Sequence, residues 1–174
     1  MLKPLLVLCL GNEIVSDDAF GPAVARTLAD DPDLNRCADV LFAPVAGFHL
    51  LDLFQERKKV LIVDTIVTGQ AAPGTLHSFP AGVLTPSNHL TTSHQISLPT
   101  ALELGTRLGI AMPKVVDVVA VEAQDLETLS EELTEPVRAA MEQALAHIRR
   151  WVTENAAVGC NDDRERQDVE HTTR

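Results

Sequence analysis

The sequence predicts a single three-layer α/β/α domain, in which helices cover both faces of a mostly parallel sheet. Three observations favour this fold class. The length of 174 residues suits one domain. Short apolar runs alternate with helical patterns along the chain, which is typical of βα units. The strongest of these runs are apolar at every position, as expected for strands that are covered on both faces.

The first half of the chain carries three predicted strands and two predicted helices. Leu5–Leu10 is a continuously apolar strand, and Ala19–Leu28 follows it as a helix. Val40–Val45 is the second predicted strand, and apolar residues at i, i+3 and i+4 predict a helix over Phe48–Gln55. Val60–Asp64 has the clearest pattern of a buried strand in the chain.

The second half adds two strands, two helices and a long loop. Thr75–Phe79 alternates apolar with polar residues, which predicts a short edge strand. Residues 80–97 are rich in Pro, Ser, Thr, Asn and His, and a loop of this length usually has a function or is mobile. Thr100–Leu108 is predicted as a helix, Val115–Val121 as the last central strand and Leu133–Val152 as a long amphipathic helix.

The domain is predicted to end before the last stretch of the chain. Residues 1–155 contain no internal repeat and no candidate boundary, so we assign them to one domain. From Asn161 to Arg174 the chain is almost wholly polar. We therefore predict that residues 156–174 form a disordered C-terminal tail.

Charge and cysteine content argue against several classes of protein. Lys plus Arg number 14 and Asp plus Glu number 25, so the net charge of −11 argues against nucleic-acid binding and suits a site that holds a cation. The three cysteines form no CxxC pair, and their odd number argues against a disulfide framework. No apolar stretch reaches the length of a membrane span, and the N-terminal apolar run is too short for a signal peptide. We expect a cytoplasmic protein that contacts no membrane.

Polar residues from three segments are predicted to meet at one edge of the sheet, because ligands of open α/β sheets gather at the carboxyl ends of the parallel strands. They come from the loop after the first strand, from the end of the third strand and from the long polar loop. The candidate residues are Asn12, Asp17, Asp18, Asp64, His89 and His94. The first loop has no GxGxxG motif and no Lys or Arg, so it favours a cation over a phosphate.

Each candidate also has a simpler interpretation. Asp18 or Asp17 can be the N-cap of the following helix, and Asp64 can be a turn residue, although a carboxylate that ends an apolar run is costly to bury without a partner. His94 can be an ordinary surface histidine, and Asn12 a turn-forming residue. If Asp18 is the ligand, Asp17 remains available to cap the helix. Convergence at one edge is what favours the functional interpretation.

Other catalytic schemes find little support in the sequence. There is no GxSxG motif for a serine hydrolase and no HExxH motif for a zinc protease. Cys9 lies within a predicted strand, which makes it a poor nucleophile. Asp64-Thr65 is followed by Ile66 where an aspartic protease has glycine, and no second copy of that motif occurs.

Three sequence blocks follow one another along the chain. The first is a strand with a G-N-x4-D-D/E-x-x-G motif, the second is an apolar strand that ends in Asp and precedes A-P-G-T, and the third is S/T-x-H-x-x-x-L. They are found at Gly11–Gly21, at Leu61–Val67 with Ala72–Thr75, and at Thr92–Leu98. With these blocks the chain resembles the maturation endopeptidases of NiFe-hydrogenases, over about Leu5 to Val152.

The resemblance implies a twisted five-stranded sheet and an endopeptidase that removes a C-terminal extension from a hydrogenase large subunit after nickel insertion. By block position, Asp18, Asp64 and His94 would be the metal ligands, with Asp18 and Asp64 the catalytic carboxylates. Asn12, Asp17 and His89 would support the site or the substrate. The metal would be nickel carried by the substrate, with zinc or another divalent ion as a substitute. The partner would be the large-subunit precursor, and the protein a monomer.

One stretch departs from the family pattern. The family usually has Gly-Gly-Thr before the next glycine, and this chain has Ala43-Pro44-Val45-Ala46-Gly47. The difference bears on the wall of the substrate cleft more than on the metal site. The difference also leaves a second interpretation open, that the protein is a nickel-binding assembly module without catalytic activity. A nucleotide-binding flavodoxin-like domain is a third and more distant interpretation.

Overall fold

A computed structural model describes residues 2–44, 49–83 and 98–170 of the chain. It contains a five-stranded sheet in the order β2-β1-β3-β5-β4. The strands are β1 (Leu5–Cys9), β2 (Ala38–Phe42), β3 (Lys59–Ile66), β4 (Leu76–Pro80) and β5 (Val115–Glu122). All neighbouring strands are parallel except β4, which pairs with β5 in the antiparallel sense. The predicted mostly parallel sheet with an edge strand is therefore confirmed.

Six α-helices accompany the sheet in the described residues. They are α1 (Phe20–Leu28), α2 (Leu34–Cys37), α3 (His49–Phe54), α4 (Leu98–Arg107), α5 (Glu135–Ala139) and α6 (Met141–Glu170). Two short 3₁₀ helices lie at Ser16–Ala19 and Ala81–Val83. None of the helices in these ranges has an apolar stretch long enough to cross a membrane.

Alternation along the strands creates a separate core on each face of the sheet. Leu5, Val7 and Cys9 of β1 pack in a cluster with residues of α1 and α6. Leu6 and Leu8 point the other way and pack in a second cluster, which includes residues of α3 and α4. Because both faces are covered, β1 is buried at every position, which accounts for its unbroken apolar sequence.

Element boundaries differ from the predicted ones for local reasons. β3 continues past Asp64 to Ile66, because Thr65 and Ile66 extend its pairing with β5. The helix predicted over Leu133–Val152 begins only at Glu135. Thr134 has an extended backbone, and its N–H donates to the Asp17 carboxylate. The predicted helix is also interrupted at Ala140 between α5 and α6. The four-residue helix α2 was not predicted.

Helix α6 is longer than the sequence predicts. Its backbone is helical as far as Glu170, whereas residues 156–174 were expected to form a disordered tail. This stretch of α6 contains one glycine and no proline, so nothing in its composition stops the helix that precedes it. The assignment of residues 1–155 to one domain is not affected.

Candidate active site

The loop that links β1 to α1 is held by two glycines that allow close backbone contacts. Gly11 has φ +138°, and a Cβ at this position would lie 2.1 Å from the Asp18 carbonyl oxygen. A Cβ at Gly21 would lie 1.8 Å from the Leu10 carbonyl oxygen. The Asn12 N–H donates to that same Asp18 carbonyl over 3.1 Å. These contacts close the loop on itself and fix where the Asp18 backbone lies relative to the end of β1.

Asp18 and Asp64 are brought together at the carboxyl edge of the sheet. Asp64 lies near the end of β3 and is 6% exposed, and Asp18 lies in the 3₁₀ helix and is 3% exposed. Thr65 contacts both carboxylates. Its N–H donates to Asp64 Oδ1 over 2.8 Å, and its hydroxyl donates to Asp18 Oδ1 over 3.3 Å. The sequence did not single out Thr65 as a site residue.

The electrostatic environment of Asp64 favours its protonated form. Burial raises the pKa of its carboxyl to about 7, and the negative charge of Asp18 adds to the rise, against a lowering effect of the Thr65 N–H. The neighbouring Cys9 thiol has its pKa raised to about 12 by burial and by the Asp64 charge, so it stays neutral. Two buried carboxylates that repel each other form a place where a cation is favoured.

Asp17 points into a different network and does not cap the helix. Its carboxylate accepts four hydrogen bonds, from the N–H groups of Gln124, Asp125 and Thr134 and from the Thr134 hydroxyl, at 2.8–3.0 Å. The N-cap positions of the 3₁₀ helix and of α1 are Val15 and Ala19, and neither side chain makes a capping hydrogen bond. The capping interpretation of Asp17 and Asp18 is therefore wrong. Asp17 anchors the segment that follows β5.

Asn12 lies at the surface of the same loop. Its side-chain Oδ1 accepts a 3.3 Å hydrogen bond from the Ile14 N–H, which is the behaviour of a turn-forming residue. His89 and His94 lie outside the described residues, as do most of the third sequence block and residues 45–47 of the altered stretch 43–47. Within the described ranges, no group of three or more His, Cys, Asp or Glu side chains could hold a metal. Two of the three predicted ligands, Asp18 and Asp64, lie in those ranges.

Glu122 is a further buried carboxylate at this edge that the sequence reasoning missed. It lies at the end of β5, opposite Ile66, and accepts hydrogen bonds from the Thr68 N–H and hydroxyl and from the Gly69 N–H. His77 Nε2 lies 3.0 Å from its Oε2. Glu122 therefore fixes the loop after β3. The rule that singled out Asp64, a carboxylate ending an apolar run, applies equally to Glu122.

Burial and hydrogen bonding act in opposite senses on Glu122. Burial raises the pKa of its carboxyl, but the hydrogen bonds from Thr68, Gly69 and His77 together outweigh burial and leave the pKa below its usual value. Glu122 is thus held as an anion, in contrast to Asp64. The two residues show that burial alone does not decide the charge of a carboxylate at this edge.

Sequence comparisons relate the chain to hydrogenase maturation proteins. A family sequence model described as hydrogenase maturation protease matches residues 22–151. The hydrogenase 2 maturation protease of Escherichia coli K12 is 29% identical over 149 residues, which cover 83% of this chain and 90% of the relative. The hydrogenase expression/formation protein HoxM of Azotobacter vinelandii is 28% identical over 167 residues, or 91% of this chain and 77% of the relative.

Solved structures of similar proteins share the fold. The hydrogenase maturating endopeptidase HybD from E. coli superposes with a TM-score of 0.70 and 27% identity, covering 89% of this chain and 94% of that one. The NiFe-hydrogenase maturation protease HybD from Thermococcus kodakarensis gives a TM-score of 0.65 at 22% identity, with 86% and 99% covered. The second likeness, at this level of identity, concerns the fold alone.

Proposed function

The chain belongs to the hydrogenase maturation protease family, and on that premise we propose that it removes a C-terminal extension from the large-subunit precursor of a NiFe-hydrogenase after nickel insertion. The observation that supports this most directly is the pairing of two buried carboxylates, Asp18 and Asp64, at the carboxyl edge of the sheet. The family fixes the class of reaction, which is peptide-bond hydrolysis. The cleavage position and the part played by the metal belong to the proposal.

The donor set suits a borderline divalent metal. Asp18 and Asp64 would supply carboxylate oxygens and His94 an imidazole nitrogen, a combination that nickel and zinc accept. Both carboxylates are buried at the same edge of the sheet, and the Asp18 charge helps to raise the pKa of Asp64, which favours a cation beside them. We propose that nickel arrives with the precursor, and that zinc or another divalent ion can substitute for it. Bound there, such a metal would polarise the scissile carbonyl or lower the pKa of a water.

The chain's own residues account for the remaining chemistry. Asp64, whose pKa is about 7, can take up or release a proton near neutral pH, which suits a general base. Thr65 holds both carboxylates in place, since its N–H donates to Asp64 and its hydroxyl to Asp18. Either Asp18 or Asp64 can act as the base in a mechanism where nickel serves mainly to recognise the mature precursor.

The test uses the purified chain and a nickel-loaded large-subunit precursor. We expect mass spectrometry to show the precursor losing a C-terminal peptide, with no loss from a nickel-free precursor. Asp64→Asn should cleave the nickel-loaded precursor at least about tenfold more slowly than the unaltered chain. Binding without any cleavage by the unaltered chain would contradict the proposal and favour an assembly module instead.

We also propose that the protein works as a cytoplasmic monomer. The two cysteines in the described residues, Cys9 and Cys37, are free thiols, which suits a reducing compartment. Light scattering of the purified chain should give a mass near 18.8 kDa. A stable dimer at micromolar concentration would contradict the monomer.

A further inference from the structure

Large apolar side chains are strongly exposed at both ends of the sheet. In the described ranges they are Leu2, Ile14, Val67, Val83, Leu108 and Leu129. Three of them are at the carboxyl edge, near Asp18 and Asp64. Ile14 is 54% exposed in the loop after β1, Val67 is 39% exposed directly after β3, and Leu129 is 78% exposed in the segment after β5. Exposed apolar residues grouped beside a site are typical of surfaces that bind another protein.

The backbone around Ile14 and Leu129 is held in place. Val15 forms isolated β-bridges with Leu129 and Ser130, and the Ser130 N–H donates to the Ile14 carbonyl over 3.1 Å. The four hydrogen bonds accepted by Asp17 tie the same two segments together. Ile14 and Leu129 are therefore presented side by side on an ordered backbone. An ordered apolar pair loses little conformational entropy when a partner covers it.

The segment that carries Leu129 is acidic. Residues 124–134 contain four carboxylates and neither Lys nor Arg, and Glu127, Glu131 and Glu132 are exposed there. By contrast, all four lysines of the chain lie at the opposite edge, before the amino ends of β1, β3 and β5 or at the start of β3. They are Lys3, Lys58, Lys59 and Lys114. A basic partner surface is thus attracted to residues 124–134.

We propose that Ile14, Val67, Glu127, Leu129 and Glu131 form a docking face for the large-subunit precursor, whose matching surface presents apolar side chains framed by Lys or Arg. This inference rests on the proposed function and adds to it the surface through which the precursor is recognised. The apolar side chains supply affinity, and the carboxylates orient the approach. The face lies beside the two aspartates, so docking brings the precursor's C-terminal segment to them.

The test compares two equally simple variants. Leu129→Glu places a charge in the docking face, and Leu108→Glu places the same charge on a residue that is 63% exposed after α4, next to the amino edge. We expect Leu129→Glu to raise both the Kd and the KM for the precursor at least about tenfold and to leave kcat within about twofold. Leu108→Glu should change none of these values by more than about twofold. Thermal unfolding of both variants should match that of the unaltered chain, since both leucines are exposed.

Salt dependence tests the charged half of the proposal. The Kd of the unaltered chain for the precursor should rise when NaCl increases from about 0.05 M to about 0.5 M, because screening shortens the range of the attraction. A Kd that is independent of salt would overturn the claim that the precursor surface is basic.

The outcomes separate this inference from the proposed function. If the unaltered chain binds and cleaves the precursor but Leu129→Glu does so equally well, the docking face is wrong and the proposed function stands. If Leu129 is needed for binding but no cleavage follows, the docking face is supported and the proposed cleavage fails. If the unaltered chain neither binds nor cleaves the precursor, both are overturned.

Discussion

Thr134 donates two hydrogen bonds to the carboxylate of Asp17, a residue 117 positions earlier in the chain. One comes from its backbone N–H over 2.8 Å and the other from its hydroxyl over 3.0 Å. Asp17 is fully buried, so its charge is compensated almost entirely by these donors and by the N–H groups of Gln124 and Asp125. The neighbouring Asp18, by contrast, contacts Thr65. The two adjacent aspartates thus contact different segments, Asp17 the one after β5 and Asp18 the end of β3.

Asp17→Asn should destabilise the fold. The amide can accept hydrogen bonds only through its oxygen, so at least one of the four donors loses its acceptor inside the protein. We expect a loss of about 1–3 kcal/mol in the free energy of unfolding, measured by urea denaturation. Glu127→Gln is the control, because Glu127 is exposed in the same segment, and it should change stability by less than about 0.5 kcal/mol. Equal stability of Asp17→Asn and the unaltered chain would show that the network contributes little.

Asp18→Asn should impair catalysis rather than folding. The substitution removes the negative charge and keeps the size of the side chain, so cleavage of a nickel-loaded precursor should fall at least tenfold, or about 1.4 kcal/mol of barrier. Asp18→Glu keeps the charge and should retain partial activity. Asp30→Asn, an exposed aspartate after α1, is the control and should cleave normally. Normal cleavage by Asp18→Asn would show that the residue is neither a ligand nor a base.

His94 should be required for metal binding by the isolated chain. We expect titration calorimetry to show Ni²⁺ or Zn²⁺ binding at a single site, with modest affinity because the ligands include no thiolate. His94→Ala should abolish this binding. His89→Ala should have a smaller effect, because His89 lies outside the sequence block that carries the resemblance. Unchanged binding by His94→Ala would remove it from the proposed ligand set.

Glu122 should make stability depend on pH. Its pKa is lower in the folded chain than in the unfolded one, so ionised Glu122 stabilises the fold at neutral pH, and this contribution is lost as the pH falls through the folded-state pKa. Glu122→Gln should therefore be less stable than the unaltered chain near pH 7, and the difference should shrink below about pH 4. Denaturation at several pH values measures it. A difference that stays constant with pH would show that hydrogen bonding alone, without the charge, is responsible.

The C-terminal end of α6 should be dispensable. Ala156 still packs against the core, so the informative truncation removes residues 157–174. We expect an unchanged thermal midpoint and unchanged metal binding. A drop of more than about 4 °C, which corresponds to roughly 1 kcal/mol or more for a domain of this size, would show that the segment is docked on the domain.

The fold was predictable where burial leaves a clear pattern. β1 and β3 are covered on both faces, so Leu5–Cys9 and the run 60–63 of β3 are apolar at every position, and the order of strands and helices follows from such runs. Boundaries were harder, because they depend on distant contacts. The start of α5 is an example, since Thr134 is held by Asp17 and does not join the helix. The local pattern of apolar and polar residues does not indicate a contact between residues 117 positions apart.

The candidate site was predictable to a similar extent. Asp18 and Asp64 do meet, as the topology of parallel strands requires. The distinct role of Asp17 was not predictable, because a favoured capping residue at a helix start gives the same local signal whether or not it caps. Glu122 was overlooked although it also ends an apolar run, since its partners come from the loop after β3 and from β4. Local sequence indicates that a carboxylate is buried, but not what holds it.

The two close glycine contacts divide the loop after β1 into parts that tolerate change and parts that do not. A library that randomises this loop to retarget the enzyme should keep Gly11 and Gly21 constant, because any side chain there would have to displace backbone atoms of Asp18 or Leu10. Glu13 and Ile14 point outward and are free to vary. Residues grafted from relatives can therefore replace Glu13 and Ile14, provided that Asp17, Asp18 and the number of residues between the two glycines are kept. In such chimaeras, we expect the precursor preference to change while Asp18 and Asp64 keep their places at the carboxyl edge.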